Sequence, residues 1–149
     1  HGAGCHAFAQ VVRGAKTVLL PSESFDAETV WQLVEEHKVS NMFTVPTIVK
    51  MMVEHPAVDR YNHSSLRHVI HAGAPMYMAD QKVAFQKLGP VLYQYYGLGE
   101  VTGCITVQPP EHYVVDENDP GSRPGTWFGS GTGSRAVAGN SGFLPGPGS

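Results

Sequence analysis

Two periods of polar and apolar positions alternate along this chain. Short apolar runs rich in β-branched residues are separated by longer stretches in which apolar residues recur every three or four positions. AGCHAFAQVVR (3–13) is rich in helix formers and stops at Gly14, so a helix is expected there. KTVLLP (16–21) is a short Leu and β-branched run closed by Pro21 and predicts a buried strand. Asp26 can cap a helix running to about Lys38, with Val30, Leu33, Val34 and His37 on one face. SNMFTV (40–45) reads as the next strand, and Pro46 suits the first turn of a helix that continues to Pro56. LRHVIHAG (66–73) is another strand, followed by a tight turn at Gly73-Ala74-Pro75. Residues 77–88 have helical spacing and stop at Gly89. VLYQYY (91–96) is a further strand, and CITVQ (104–108) is an extended run ended by Pro109-Pro110.

This alternation predicts an α/β fold: part of a mostly parallel sheet with helices on both faces. Ligands of such sheets sit at the C-terminal ends of the strands. HAGAP (71–75) and YYGLGE (95–100) both fall at such ends and can line one crevice.

The period breaks down after about residue 117. Nine of the 17 glycines lie in 121–149, with no acidic residue. That stretch reads as a Gly-rich, poorly packed tail, leaving 1–116 as the structured part.

Composition narrows the function. The 149 residues suffice for one domain with a core. The net charge is −3 and no Lys/Arg cluster occurs, which argues against nucleic acid as a partner. No apolar run is long enough for a transmembrane helix and no signal peptide is visible, so a cytoplasmic location is expected. Cys5 and Cys104 are far apart and read as two reduced, buried thiols. The oligomeric state is not legible.

Several isolated features have ordinary explanations. His63, His68 and His71 form the nearest histidine group, but His68 and His71 point to opposite faces of a strand, which argues against shared metal ligation. His37 reads as a packed histidine on an apolar helix face. Met42, Met51, Met52, Met76 and Met78 read as core filler.

QYYGLGEVTG (94–103) is the stretch that bears on chemistry. Its glycines come close to a dinucleotide fingerprint, but that fingerprint needs a helix after the glycines. The residues after Gly103 are β-branched and then interrupted by two prolines, so the dinucleotide reading fails on context. Glycines after a strand often only make a turn. Here Tyr95 and Tyr96 are aromatics able to stack on a flat base, and Glu100 is a carboxylate able to hold Mg²⁺.

HAGAPM followed by YQYYGLGE resembles the adenylate-forming (AMP-binding) enzymes: acyl-CoA synthetases, luciferases and peptide-synthetase adenylation domains. Their pattern is Gly-Gly-Ala-Pro, a strand, then Tyr-Gly-x-Thr-Glu. The stretch from Arg13 to Pro56 and the opening HGAGC have the family's phrasing too, and the resemblance covers roughly 1–113. It implies an acid–thiol ligase of the fatty-acid–CoA ligase type that uses ATP, Mg²⁺ and CoA on a small-molecule carboxylic acid, whose acyl chain length is not legible. It implies that Gly73, Ala74 and Pro75 border the adenine, that Tyr96 stacks on it, and that Gly97 permits close approach. Gln94 and Tyr95 would flank the nucleotide or acyl group, Glu100 would hold Mg²⁺, and His1 would sit near the reacting carboxylate. Gly99 stands where the family usually has Thr, so a phosphate-contacting hydroxyl is missing.

The family's Ser/Thr/Gly-rich phosphate loop with its Lys, its Tyr-x-Thr-Gly-Asp segment and its lid Lys are not in this sequence. An internal fragment of an acyl-CoA synthetase is therefore expected, inactive and poorly packed on its own, with a frameshift near Thr126 as one origin of the tail. The alternatives are an adenylation domain feeding a carrier protein, and a non-catalytic α/β binding module or degenerate gene product.

Overall fold

A computed structural model describes residues 6–21, 24–101 and 103–113. Among these the elements run α1 (Ala7–Val12), α2 (Ala27–His37), β1 (Asn41–Thr44), α3 (Pro46–Glu54), β2 (His68–His71), α4 (Met78–Leu88), β3 (Leu92–Leu98) and β4 (Gly103–Gln108).

Local signals set most boundaries. Asp26 accepts a hydrogen bond from the Thr29 backbone N–H at 2.9 Å and starts α2. Lys38 ends it in the left-handed conformation, with φ 51°. Pro46 is the first residue of α3, and α4 stops at Gly89. The four strands lie in the order β1-β2-β3-β4. β1, β2 and β3 are parallel, joined by crossovers through α3 and α4. β4 turns back antiparallel to β3.

The register places Met42, Val69 and Leu92 side by side on one face. These join Val30, Trp31 and Val34 of α2, Val49, Met52 and Val53 of α3, and Ala84 of α4 in a single core. Trp31 is fully buried, and its indole N–H is paired there by donating to the Met52 carbonyl at 2.9 Å. The opposite face carries Phe43, Ile70, Tyr93, Tyr95 and Val107. The His6 ring, at the start of α1, packs on Phe43 at 5.6 Å.

Several expectations need correction. Residues 16–21 form no strand, and Leu19 and Leu20 are exposed. An apolar run becomes a strand only with a hydrogen-bonded neighbour, and the ladder gives it none. The first helix spans Ala7–Val12 and buries none of its residues; residues 3–5 lie outside the described residues. β3 runs on through Gly97 and Leu98, two residues further than expected. His37 is exposed rather than packed. Met52 and Met76 are buried, but Met51 is exposed. Cys104 is an exposed free thiol, not a buried one; Cys5 lies outside the described residues, as does the tail from 114 onward.

Candidate functional site

β1 and β2 end at Thr44 and His71, in register with Gln94 of β3, which itself runs on to Leu98. One loop leaves at the end of β2, and a second lies beyond it at the end of β3. The first, Ala72–Tyr77, leads into α4; Gly73 is left-handed at φ 86°, a conformation that favours glycine. A Cβ added there would lie 4.0 Å from Val45 Cγ1, so the loop passes beside the end of β1. Gly73, Ala74 and Pro75 are exposed, while Met76 is buried beneath them and its carbonyl accepts from Gln81 Nε2 at 2.9 Å. The loop is thus anchored from below and open above.

The second loop is the turn of the β3–β4 hairpin. Gly99–Val101 form one 3-10 turn that exposes both Gly99 and Glu100. Gly97 is inside the strand, opposite Cys104, just after an irregularity in the ladder. A Cβ on Gly97 would lie 1.7 Å from the Gly103 carbonyl oxygen. The hairpin itself therefore requires glycine at this position.

Adjacent strand residues face opposite ways. Tyr96 pairs with Thr106 and shares the helix-covered face with Gln94. Tyr95 pairs with Val107 and points to the other face. The two tyrosines therefore cannot stack on the same base. Burial pushes the Tyr95 phenol up, with smaller effects from Cys104 and Tyr93. Gln94 is buried.

The structure thus brings Gly73, Ala74, Pro75, Tyr95, Tyr96, Gly97, Gly99 and Glu100 to one end of the sheet. His1 lies outside the described residues. Glu100 is a single exposed carboxylate. That fits Mg²⁺, which takes one or two carboxylates and completes its shell with water and phosphate oxygens. Among the described residues no group of three His, Cys, Asp or Glu could hold a metal by itself. His68 packs on Tyr93 at 4.9 Å on one face, whereas His71 lies on the other.

Sequence reasoning missed a polar row on the helix-covered face. Thr44, His71, Gln94 and Gln108 are successive register partners across all four strands. His71 is fully buried, and its Nε2 lies 3.0 Å from Tyr113 Oη. Burial lowers the His71 pKa to about 4 and pushes the Tyr113 phenol well above its usual range. The signal available was one polar residue near the end of each strand.

A separate concavity is lined by Val58, Tyr61, His63, Leu66 and Leu88. Leu66 precedes β2, so this hollow lies by the N-terminal end of that strand, and ligands of open parallel sheets sit at the other end. The loops are therefore the better candidate.

An open, mostly parallel sheet with two small-residue loops toward its strand ends has the architecture in which α/β proteins bind ligands at the strand ends. The AMP-binding enzyme family matches residues 1–127, and the chain belongs to that family. It is 38% identical over 95 residues to a 4-coumarate–CoA ligase of Oryza sativa subsp. japonica, covering 63% of this chain and 17% of the relative. The N-terminal domain of FACL13 from Mycobacterium tuberculosis superposes with a TM-score of 0.66 at 30% identity, over 74% of this chain and 27% of that one. An amide bond synthetase, McbA from Marinactinospora thermotolerans, superposes with a TM-score of 0.57 at 32% identity, over 60% of this chain and 18% of that one. The chain spans less than a fifth of the length of the curated relatives it matches. No helix among the described residues is long and apolar enough to cross a membrane.

Proposed function

We propose that the chain is part of an ATP-dependent acyl-CoA synthetase that acts on a small-molecule carboxylic acid, and that it is inactive by itself. The observation that carries this reading is that the HAGAP and YYGLGE segments lie toward the same end of the sheet, past the His71–Gln94 register pair, in a chain of the AMP-binding enzyme family.

In this reading the substrate carboxylate attacks the α-phosphate of ATP, giving an acyl-adenylate and pyrophosphate. A CoA thiol then attacks the acyl carbon and releases AMP. Gly73, Ala74 and Pro75 border the adenine, and Tyr96 stacks on it. Tyr95 is on the opposite face. With the exposed Val107 it lines the apolar face not covered by α2, α3 and α4, along which an acyl group would lie. Glu100 would hold Mg²⁺, which when bound neutralises charge on the phosphates. His1 would stand near the reacting carboxylate. Gly99 offers only backbone to a phosphate. Neither step needs a protein nucleophile.

A second reading keeps the adenylate and changes the acceptor to an amine or a carrier thiol. The likeness to an amide bond synthetase favours it. ATP–pyrophosphate exchange by the full gene product, with a panel of carboxylic acids, tests both. Exchange that Glu100→Gln lowers about 100-fold or more is expected. Subsequent CoA-dependent, rather than amine-dependent, release of AMP selects the synthetase. Exchange indifferent to Glu100→Gln, or acyl-CoA formation by these 149 residues alone, would contradict the proposal.

A further inference from the structure

One buried pair at the strand ends has no assigned task. His71 is the last residue of β2 and directly precedes the Ala72–Tyr77 loop. Tyr113 lies five residues past the end of β4, and β4 is the partner of Tyr95–Leu98. The His71 Nε2 to Tyr113 Oη contact at 3.0 Å spans 42 residues of sequence. It joins the strand that feeds one loop to the hairpin that carries the other.

The turn holding Tyr113 is fastened at two further points. Gln108 Nε2 donates to the His112 carbonyl at 3.0 Å. The Phe85 ring of α4 packs on the Tyr113 ring with centroids 5.1 Å apart.

Both partners of the contact stay neutral near pH 7. A neutral imidazole has one N–H and one acceptor nitrogen, and the partner of one nitrogen sets the state of the other. His71 Nδ1 is also buried and meets no hydrogen-bond partner among the described residues. Were Nε2 to carry the proton, the phenol hydrogen and Nδ1 would both be left unmatched; with the phenol donating to Nε2, only the Nδ1–H is.

We propose that Tyr113 is a positioning residue for the strand-end crevice: its hydroxyl donates to His71 Nε2, fixes the ring as the Nδ1–H tautomer, and ties the end of β2 to the turn after β4. The tautomer stands independently of any ligand. The positioning role rests on the reading that the crevice takes an adenine nucleotide.

Two readouts on the whole chain separate these parts. Long-range ¹H–¹⁵N spectra of histidine-labelled protein report which ring nitrogen of His71 carries the proton. Titration with Mg·ATP reports affinity. The wild type should show His71 as the Nδ1–H form. Tyr113→Phe keeps the ring against Phe85 but removes the donor; it should release His71 from that tautomer and weaken Mg·ATP about fivefold, the effect of one ordinary hydrogen bond. Phe85→Leu loosens the packing and leaves the hydroxyl; it should keep both the tautomer and the affinity. A wild-type His71 protonated on Nε2 overturns the proposal. So does a Tyr113→Phe variant with unchanged tautomer and affinity, or a Phe85→Leu variant as impaired as Tyr113→Phe. Failure of the wild type to bind Mg·ATP overturns the crevice reading and the positioning role, while an Nδ1–H spectrum would still support the bond.

Discussion

A Cβ on Gly97 would overlap the carbonyl oxygen of Gly103, 1.7 Å away across the β3–β4 hairpin. The atoms in the way belong to backbone, so no side-chain rotation relieves the clash. Gly97→Ala is therefore expected to destabilise the chain by about 1–3 kcal/mol or more, as overpacking does. Urea denaturation measures this. The same substitution at Gly99 meets nothing within 4 Å and should change stability by less than about 0.5 kcal/mol. Equal effects at the two positions would show that the hairpin has room for a side chain at Gly97.

Gly99 also permits a gain. It is exposed, in open space, at the position where the family resemblance places a phosphate-contacting hydroxyl. Gly99→Thr should be accommodated and should tighten Mg·ATP by about fivefold, one added hydrogen bond. Isothermal titration of both proteins checks it. Weaker binding by the Thr variant would remove this turn from the phosphate site.

His71 makes stability depend on pH with a definite sign. Its folded pKa lies at about 4, below the ordinary value of 6.5, because burial disfavours the charged ring. Between those values the unfolded chain binds more protons than the folded one, so stability falls as pH drops, by up to about 1.4 kcal/mol per pH unit. Above pH 6.5 this contribution is fully present. Denaturation of wild type and His71→Gln at about pH 7.5 and about pH 5 should show a steeper acid loss in the wild type. Parallel losses would mean that His71 titrates normally.

Trp31 anchors α2 on α3. It is fully buried and its N–H donates to the Met52 carbonyl. Trp31→Phe keeps an apolar ring but leaves that buried carbonyl without its donor, at an expected cost of about 1–3 kcal/mol. Trp31→Ala should cost about 3–5 kcal/mol. Thermal and urea unfolding test the order; a Phe variant as stable as wild type would show that the hydrogen bond contributes nothing.

The elements were legible where their signals are local. Asp26, Pro46 and Gly89 mark α2, α3 and α4 because capping and φ restriction act within a turn of the helix. The parallel part of the sheet is implied by the alternation of strand and helix. Residues 16–21 misled because an apolar run does not reveal whether a neighbouring strand exists. At the site, the two segments and the end of the sheet toward which both lie were readable. The reason for Gly97 was not, since it depends on Gly103 across the hairpin. The opposed directions of Tyr95 and Tyr96 come from strand alternation once β3 is seen to run through both. The His71–Tyr113 contact joins residues too far apart in sequence for any local pattern to reveal.

The central claim is that the two strand-end loops form an adenine-nucleotide crevice. A ¹H–¹⁵N chemical-shift titration of the chain with Mg·ATP tests it most directly. The account predicts saturable shifts at Gly73, Ala74, Tyr96, Gly97, Gly99 and Glu100, with none around Val58, His63 and Leu66. Shifts confined to that second hollow, or none at millimolar nucleotide, would contradict it.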